Sequence, residues 1–264
     1  MEKMEKALQH VDLEMDINSL PDDSEVYSCV LCRDTGWVND GERAWPCKCG
    51  EESRLAGMRR LAGLGTRLAK CRFDNFQFSF YPDKPLSEKQ ITYLALAKKA
   101  FNACCSFVNE YASNGNPKGI MLLGNSASGK THLASAVANE LLKYDEHVLF
   151  LVVPELLDQL RASYRLENEG LDETEIVRRA YAAGVLILDD LGAHNFSEWV
   201  QNKLFTIINY RLNNELPIVV TTNLTIRDMQ EAIGRRAASR LLESCDIYRL
   251  MVERDIRQVI YQGV

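Results

Sequence analysis

Nowhere does this chain hold an apolar run approaching the roughly 20 residues of a membrane-spanning helix, which excludes a helical membrane protein. Its first stretch, MEKMEKALQHVDLEMD, lacks the basic-then-apolar layout of a signal peptide, so the cytoplasm is the expected location. Basic charge is not in surplus either. The formal net charge is -6, and residues 1–28, with eight acidic and two basic side chains, account for all of it. The rest is balanced at 29 against 29, which excludes a global electrostatic footprint for nucleic acid. Internal repeats and low-complexity tracts are missing.

What is present is a globular composition, 46% hydrophobic and 26% charged. Its 264 residues suffice for one large domain, or a core domain with a small appendage. One local basic run stands out. Arg54, Arg59, Arg60, Arg67, Lys70 and Arg72 face only Glu51 and Glu52 within residues 51–72. That run either touches phosphates or forms the solvated face of a helix.

The chemistry is announced by GNSASGKT, residues 124–131, which fits G-x-x-x-x-G-K-[ST], the phosphate-cradling loop. GIMLLG (119–124) before it reads as a buried strand. HLASAVANELLKY after it has Leu133, Val137 and Leu141 at helical spacing. Strand, loop and helix aim backbone N–H groups and a helix N-terminus at phosphates. Gly124 and Gly129 permit close approach, and Lys130 brings a compact cation to the β/γ-phosphates. The Thr131 hydroxyl is the expected Mg²⁺ ligand. The stretch from Gly124 through Asn125, Ser126, Ala127, Ser128, Gly129, Lys130 and Thr131 to His132 is expected to hold the nucleotide.

After this loop strands and helices alternate, which predicts an α/β fold with a parallel, doubly covered sheet. Strands are expected at 147–153, 185–192 and 217–223. Helices are expected after Pro154, up to Gly184, over 196–214 with Ser197 or Asn195 as cap, and as two short pieces, IRDMQEAI and RRAASRLLES. Before the loop, 1–20 predicts a short helix with Leu8, Val11 and Leu13 for packing, and Pro21–Ser24 a turn. A helical arm is expected over 51–70, then the aromatic-rich CRFDNFQF (71–78), then a long helix from Leu86 to Ala112. The expected division is 1–70 and 71–264.

VLILDDLG places Asp189 and Asp190 at the carboxyl end of an apolar strand, where ligands bind in open α/β sheets. Asp189 is assigned to Mg²⁺ and Asp190 to the attacking water. PIVVTTN likewise brings Thr221, Thr222 and Asn223 to a strand mouth, where a neutral amide can bond a γ-phosphate or the water. The last third supplies Arg235, Arg236, Arg240, Arg254 and Arg257 for charge stabilisation in phosphoryl transfer.

Eight cysteines do not spell a disulfide framework. Cys29, Cys32, Cys47 and Cys49 form C-x2-C…C-x-C within 21 residues, whereas Cys71, Cys104, Cys105 and Cys245 are scattered. Two close pairs read as a closed Zn²⁺ site with four thiolates. Gly36 and Gly41 let the intervening chain reverse, and metal binding would carry the folding of so small a segment. A redox pair or free thiols are the alternatives. Trp37 and Trp45 either cover the site or serve as contact residues.

The ordered set GNSASGKT, VLILDDLG, TTN, AIGRRAASRL and RDIRQ resembles the AAA+ ATPases of the DnaC/DnaI helicase-loader group and their IstB relatives. Phe73-Asp74-Asn75-Phe76 resembles the lead-in motif of that ATPase domain, and the four-cysteine front end resembles many loader-like proteins. The resemblance spans about residues 70–260. It implies an AAA+ P-loop NTPase core behind a small zinc-binding module, with ATP, Mg²⁺ and Zn²⁺ as cofactors. It matches Asn223 to sensor 1, Arg236 to the arginine finger, Arg240 to a further interface arginine and Arg257 to sensor 2. Asp190 departs from the Asp-Glu of many AAA+ enzymes, and its shorter reach implies slow, switch-like hydrolysis. Only seven residues follow Arg257, which argues against an initiator with a helix-turn-helix domain.

The implied function is a helicase loader that binds a DnaB-like replicative helicase, delivers it to single-stranded DNA and self-associates through its AAA+ part. The alternatives are an IstB-like transposition helper and a non-hydrolysing adaptor that ATP locks into an oligomer.

Overall fold

The computed structural model describes residues 27–41, 43–86, 91–144, 146–157, 173–192 and 196–262. The expected helix over 1–20 and turn at 21–24 lie outside them. The chain forms two compact units, Met1–Glu52 and Ser53–Val264.

In the smaller unit, β1 (Trp37–Asn39) and β2 (Ala44–Pro46) make an antiparallel ribbon with Val38 opposite Trp45. Its turn is held locally. Asn39 Oδ1 accepts from the Gly41 N–H at 2.7 Å, Asp40 Oδ1 accepts from the Arg43 N–H at 2.8 Å, and Gly41 takes φ +93°.

Helix α1 (Lys48–Leu61) follows, and its residues from Ser53 onward belong to the larger unit. It stops short of the expected residue 70 for a backbone reason. Gly63 sits at φ +86°, the Leu64 N–H reaches Arg59 O at 2.8 Å, and the Gly63 N–H reaches Arg60 O at 3.1 Å. That pair of bonds is a Schellman termination. A Cβ on Gly63 would lie 2.4 Å from Phe150 O, so the turn also needs the space. Ala62 and Leu64 are buried in the larger unit's core. From Ser53 onward the expected arm therefore packs with the larger unit instead of ending at a boundary near residue 70.

The larger unit is built on a five-stranded parallel sheet, order β4-β5-β6-β3-β7. Its strands are β3 (Gly119–Leu123), β4 (Val148–Val152), β5 (Val185–Asp189), β6 (Ile218–Thr222) and β7 (Cys245–Arg249). All five residues of β5 and of β6 are buried, as expected of strands covered on both faces. Alternate residues feed two cores. Ile120, Leu122, Val185, Ile187 and Val219 face one, packed by α2 (Tyr93–Ala112) and α3 (Lys130–Leu141). Met121, Leu186, Leu188, Ile218 and Val220 face the other, packed by α5 (Glu198–Asn213), α6 (Ile226–Ile233) and α7 (Arg235–Ser244). Helix α4 (Glu173–Ala182) precedes β5, and α8 (Ile256–Gln262) ends the described chain.

Two further elements differ from expectation. α2 begins at Tyr93, because Thr92 takes an extended conformation and its side chain caps the Ala95 N–H at 3.1 Å. β7 was not expected from CDIYR, whose burial is mostly partial or absent, yet it pairs with β3 along five residues. The helix after Pro154 is described only as far as Leu157. Ser197 does cap α5, accepting from the Val200 N–H.

Arg211 of α5 is fully buried and binds four carbonyls. Nη1 donates to Ala180 O and Ala183 O at 2.8 and 2.7 Å, and Nη2 to Gly184 O and Pro217 O at 2.8 and 2.9 Å. Burial pushes its pKa down to about 10. It ties the end of α4 to the starts of β5 and β6, the two strands that carry the acidic and amide residues below. Among the described residues no helix is long and apolar enough to cross a membrane.

Candidate functional site

The carboxyl ends of β3, β5 and β6 converge on one place. The loop leaving β3 reaches α3 through Gly129 at φ +90°, with Ala127 also left-handed at +52°. Gly124 is pressed against the chain that leaves β7: a Cβ there would lie 1.7 Å from Leu250 O. Asn125 locks the same contact. Its Nδ2 donates to Val252 O at 2.8 Å, and its Oδ1 accepts from the Val252 N–H at 3.1 Å. The unexpected strand β7 thus seats the loop.

Tyr81 supports the loop from below. Its buried hydroxyl donates to Ser128 O at 2.8 Å, and its ring stacks on Phe76 at 5.6 Å. Burial raises the Tyr81 pKa, so the phenol stays a donor. Sequence reasoning marked the aromatic stretch but missed Tyr81; the density of rings around 73–81 was the available signal.

Lys130 lies inside the loop. Its ammonium donates to Gly124 O at 2.9 Å, Asn125 O at 2.7 Å and Asn223 Oδ1. Burial draws its pKa down to about 8, against the pull of Asp190 and Asp189, and Arg257 adds to the lowering. Thr131 Oγ1 donates to both carboxylate oxygens of Asp189 at 3.0 Å. Burial raises the Asp189 pKa, and hydrogen bonds from Thr221 and Thr131 oppose the rise.

Thr221 links the two acidic residues. Its buried hydroxyl donates to Asp189 Oδ1 at 2.6 Å and accepts from the Asp190 N–H at 2.9 Å. Asp190 has φ +58°, a left-handed conformation that suits aspartate better than most residues. Its Oδ1 accepts from Asn223 Nδ2 at 3.1 Å. Lys130, Thr131, Asp189, Asp190, Thr221 and Asn223 therefore form one connected network.

His132, Arg236, Arg240 and Arg257 make no hydrogen bond to it among the described residues, although the Arg257 charge acts on Lys130. His132 Nε2 meets Arg72 O at 2.9 Å, with its ring edge-on to Phe76. Arg236 is exposed and stacks over the Phe205 ring at 4.0 Å. Arg240 pairs with Glu243 at 2.9 Å. Arg257 is exposed in the first turn of α8.

A hydroxyl facing a carboxylate at the foot of a phosphate loop is the donor set that Mg²⁺ takes, alongside waters and substrate oxygens. The loop's left-handed residues and enclosed lysine suit a triphosphate. When bound, the metal would neutralise charge on the phosphates.

In the smaller unit, the Sγ atoms of Cys29, Cys32, Cys47 and Cys49 all lie within 4.8 Å of one another. Tetrahedral Zn²⁺ with sulfur at about 2.3 Å sets sulfurs about 3.8 Å apart, so this donor set suits zinc. The turn after Cys29 is organised by Asp34, whose carboxylate accepts from the N–H groups of Ser28 and Cys29 at 3.0 and 2.8 Å. Contact with Cys49 draws Cys32 down to about 7, while the same contact leads the rise at Cys49. Trp37 and Trp45 are both exposed, at 57% and 45%, so neither is a closed lid.

A parallel sheet with a glycine-bounded phosphate loop, an enclosed lysine and an acidic strand end defines a P-loop nucleotide-binding protein. The chain belongs to the IstB-like ATP binding protein family, which it matches over residues 49–250. It is similar to the phage-like element PBSX protein XkdC of Bacillus subtilis (strain 168), 28% identical over 247 residues, covering 88% of this chain and 84% of that protein. The replicative helicase loader DnaC of Escherichia coli (strain K12) is 24% identical over 193 residues, covering 72% and 71%. A DnaI crystal structure aligns with TM-score 0.55 at 23% identity, over 72% of this chain and 93% of that one, so the two share a fold.

Proposed function

We propose that this protein is an ATP-dependent DNA-replication accessory factor that binds a replicative helicase and delivers it to single-stranded DNA. The observation that carries the reading is the Lys130–Asn223–Asp190 chain, an ATP-sensing link. It occurs in a protein whose relatives include a replicative helicase loader. Lys130 and the loop N–H groups hold the β/γ-phosphates, Thr131 and Asp189 hold Mg²⁺, and Asp190 orients the attacking water. Asn223 reports the γ-phosphate.

Arg236 completes a neighbouring subunit's site in an oligomer, and Arg257 senses nucleotide within its own. Hydrolysis is slow, because the short Asp190 carboxylate reaches less far than a glutamate and is already engaged by Asn223. A zinc-held cysteine module in the Met1–Glu52 unit recognises the helicase, and the Ser53–Val264 unit is the ATPase part. The protein works in the cytoplasm.

The test is capture of the replicative helicase of the same genome by the full chain, with and without ATP. ATP-dependent capture, together with tighter binding to single than to double strands at fixed salt, supports the loader. The family match to IstB-like proteins favours one second reading, a transposition helper. Preference for duplex DNA with no helicase capture would select it.

A further inference from the structure

From Ser53 to Phe73 the chain carries Arg54, Arg59, Arg60, Arg67, Lys70 and Arg72 and no acidic residue. The proposed ATP mechanism uses none of them. The fold sets Arg59 of α1 near Arg72, on the turn that also bears Arg67 and Lys70. α1 ends at Leu61, so Arg67, Lys70 and Arg72 fall on the turn that follows, not on a continuation of the helix.

A buried asparagine, Asn139 of α3, pins that turn. Its Nδ2 donates to Leu68 O and Cys71 O at 2.9 and 3.0 Å, while its Oδ1 accepts from Arg59 Nε at 2.9 Å. Arg72 Nη1 donates to Ala69 O at 3.2 Å across the same turn. One side chain thus brings the guanidinium of α1 against the turn that bears the other three cations.

No compensating charge accompanies them. Among the described residues, no carboxylate pairs with Arg59, Arg60, Arg67, Lys70 or Arg72. The side chains of Arg60, Arg67 and Lys70 are exposed and make no hydrogen bond among the described residues. Burial lowers the Arg59 pKa, and the Arg72 charge adds to the lowering. A solvated helix face would let such groups separate or pair along i, i+4. A fixed turn that concentrates cations suits a polyanion whose charges repeat along a chain, and nucleic acid is that ligand.

We infer that Arg59, Arg60, Arg67, Lys70 and Arg72 form a binding surface for the phosphate backbone of nucleic acid. The inference rests on the reading that this protein works on DNA, and it names the residues that hold the strand. The contacts are to phosphates, so they supply affinity without sequence preference.

The experiment measures binding of the full chain to a labelled single-stranded oligonucleotide and to its duplex across a salt series. It compares the parent with the triple variant Arg60→Ala/Arg67→Ala/Lys70→Ala and with Arg67→Glu. The three exposed side chains make no hydrogen bond among the described residues, and alanine keeps the backbone bonds of the turn, so ATP affinity stays at the parent level. The expected result is at least about tenfold weaker binding and, for single strands, a salt slope shallower by about 2, the loss of three phosphate contacts. The duplex arm shows which form of DNA the surface prefers. A triple variant with the parent's affinity and slope overturns the assignment and leaves the DNA reading standing. A parent that binds no DNA overturns both. A variant that binds DNA normally but no longer captures the helicase also overturns it, in favour of an acidic protein surface.

Discussion

The Lys130 ammonium donates to Asn223 Oδ1, joining two side chains 93 positions apart in the chain. Asn223 passes the connection on to Asp190. A γ-phosphate that takes the Lys130 donor leaves Asn223 Oδ1 without it, so the amide is placed to register which nucleotide is bound. Asn223→Ala is predicted to keep ATP affinity within about threefold and to lower turnover about 100-fold, the scale of losing one oriented polar group at the reacting centre. Calorimetry and phosphate release separate the two quantities. Weaker binding with unchanged turnover would assign Asn223 to the ground state only.

Thr221 is a positioning residue. Thr221→Val keeps the shape but removes the donor to Asp189 and orphans the Asp190 N–H. The expected cost is about 1–3 kcal/mol in urea denaturation, with a higher Mg²⁺ requirement for turnover. A variant with parental Mg²⁺ dependence shows that Asp189 needs no such support.

The cysteine module and the nucleotide loop are predicted to respond independently to loss of a cysteine ligand. Cys29→Ser is predicted to lower the metal count below one per chain and to unfold the cysteine module, while leaving ATP affinity unchanged. Elemental analysis and nucleotide titration check this. A count that stays at one zinc per chain sinks the four-thiolate assignment.

Arg211 joins four carbonyls, of which, among the described residues, only Pro217 O has another donor, the Leu186 N–H at 3.3 Å. Arg211→Met should destabilise the larger unit by at least about 3 kcal/mol, since several buried acceptors lose their partner together. A melting temperature within a degree of the parent's would contradict that role.

The cluster of strand-end residues was legible in the sequence because its parts are local. Gly124 to Thr131, Asp189 with Asp190, and Asn223 each close an apolar strand, and the sheet brings strand ends together. Arg211 was not legible: in NYRLNN it reads as a surface arginine, and its partners lie 6 to 31 residues away along the chain. Tyr81 and Thr221 were missed as supports for the same reason, since their partners are 47 and 32 residues distant. The end of α1 at Leu61 was hidden because helical spacing continues past Gly63, whose left-handed backbone and contact with Phe150 only the fold reveals. β7 has too few buried residues to announce a strand.

Arg236 stacks on Phe205 of its own chain at 4.0 Å. If it acts on a neighbour's nucleotide, Arg236→Ala binds ATP normally but hydrolyses it slowly. Mixing it with Lys130→Ala then restores part of the turnover, because the mixed interface pairs an intact arginine with an intact loop. Phosphate release from the mixture is the readout. No recovery, or unchanged turnover in Arg236→Ala alone, removes the finger role.

The most direct test is loading itself: the replicative helicase, closed circular single-stranded DNA with an annealed strand, ATP and the full chain. Strand displacement should depend on the chain, and Lys130→Ala should abolish it while purified helicase remains active on forked DNA. Equal displacement without the chain, or with Lys130→Ala in its place, would contradict an ATP-switched loader.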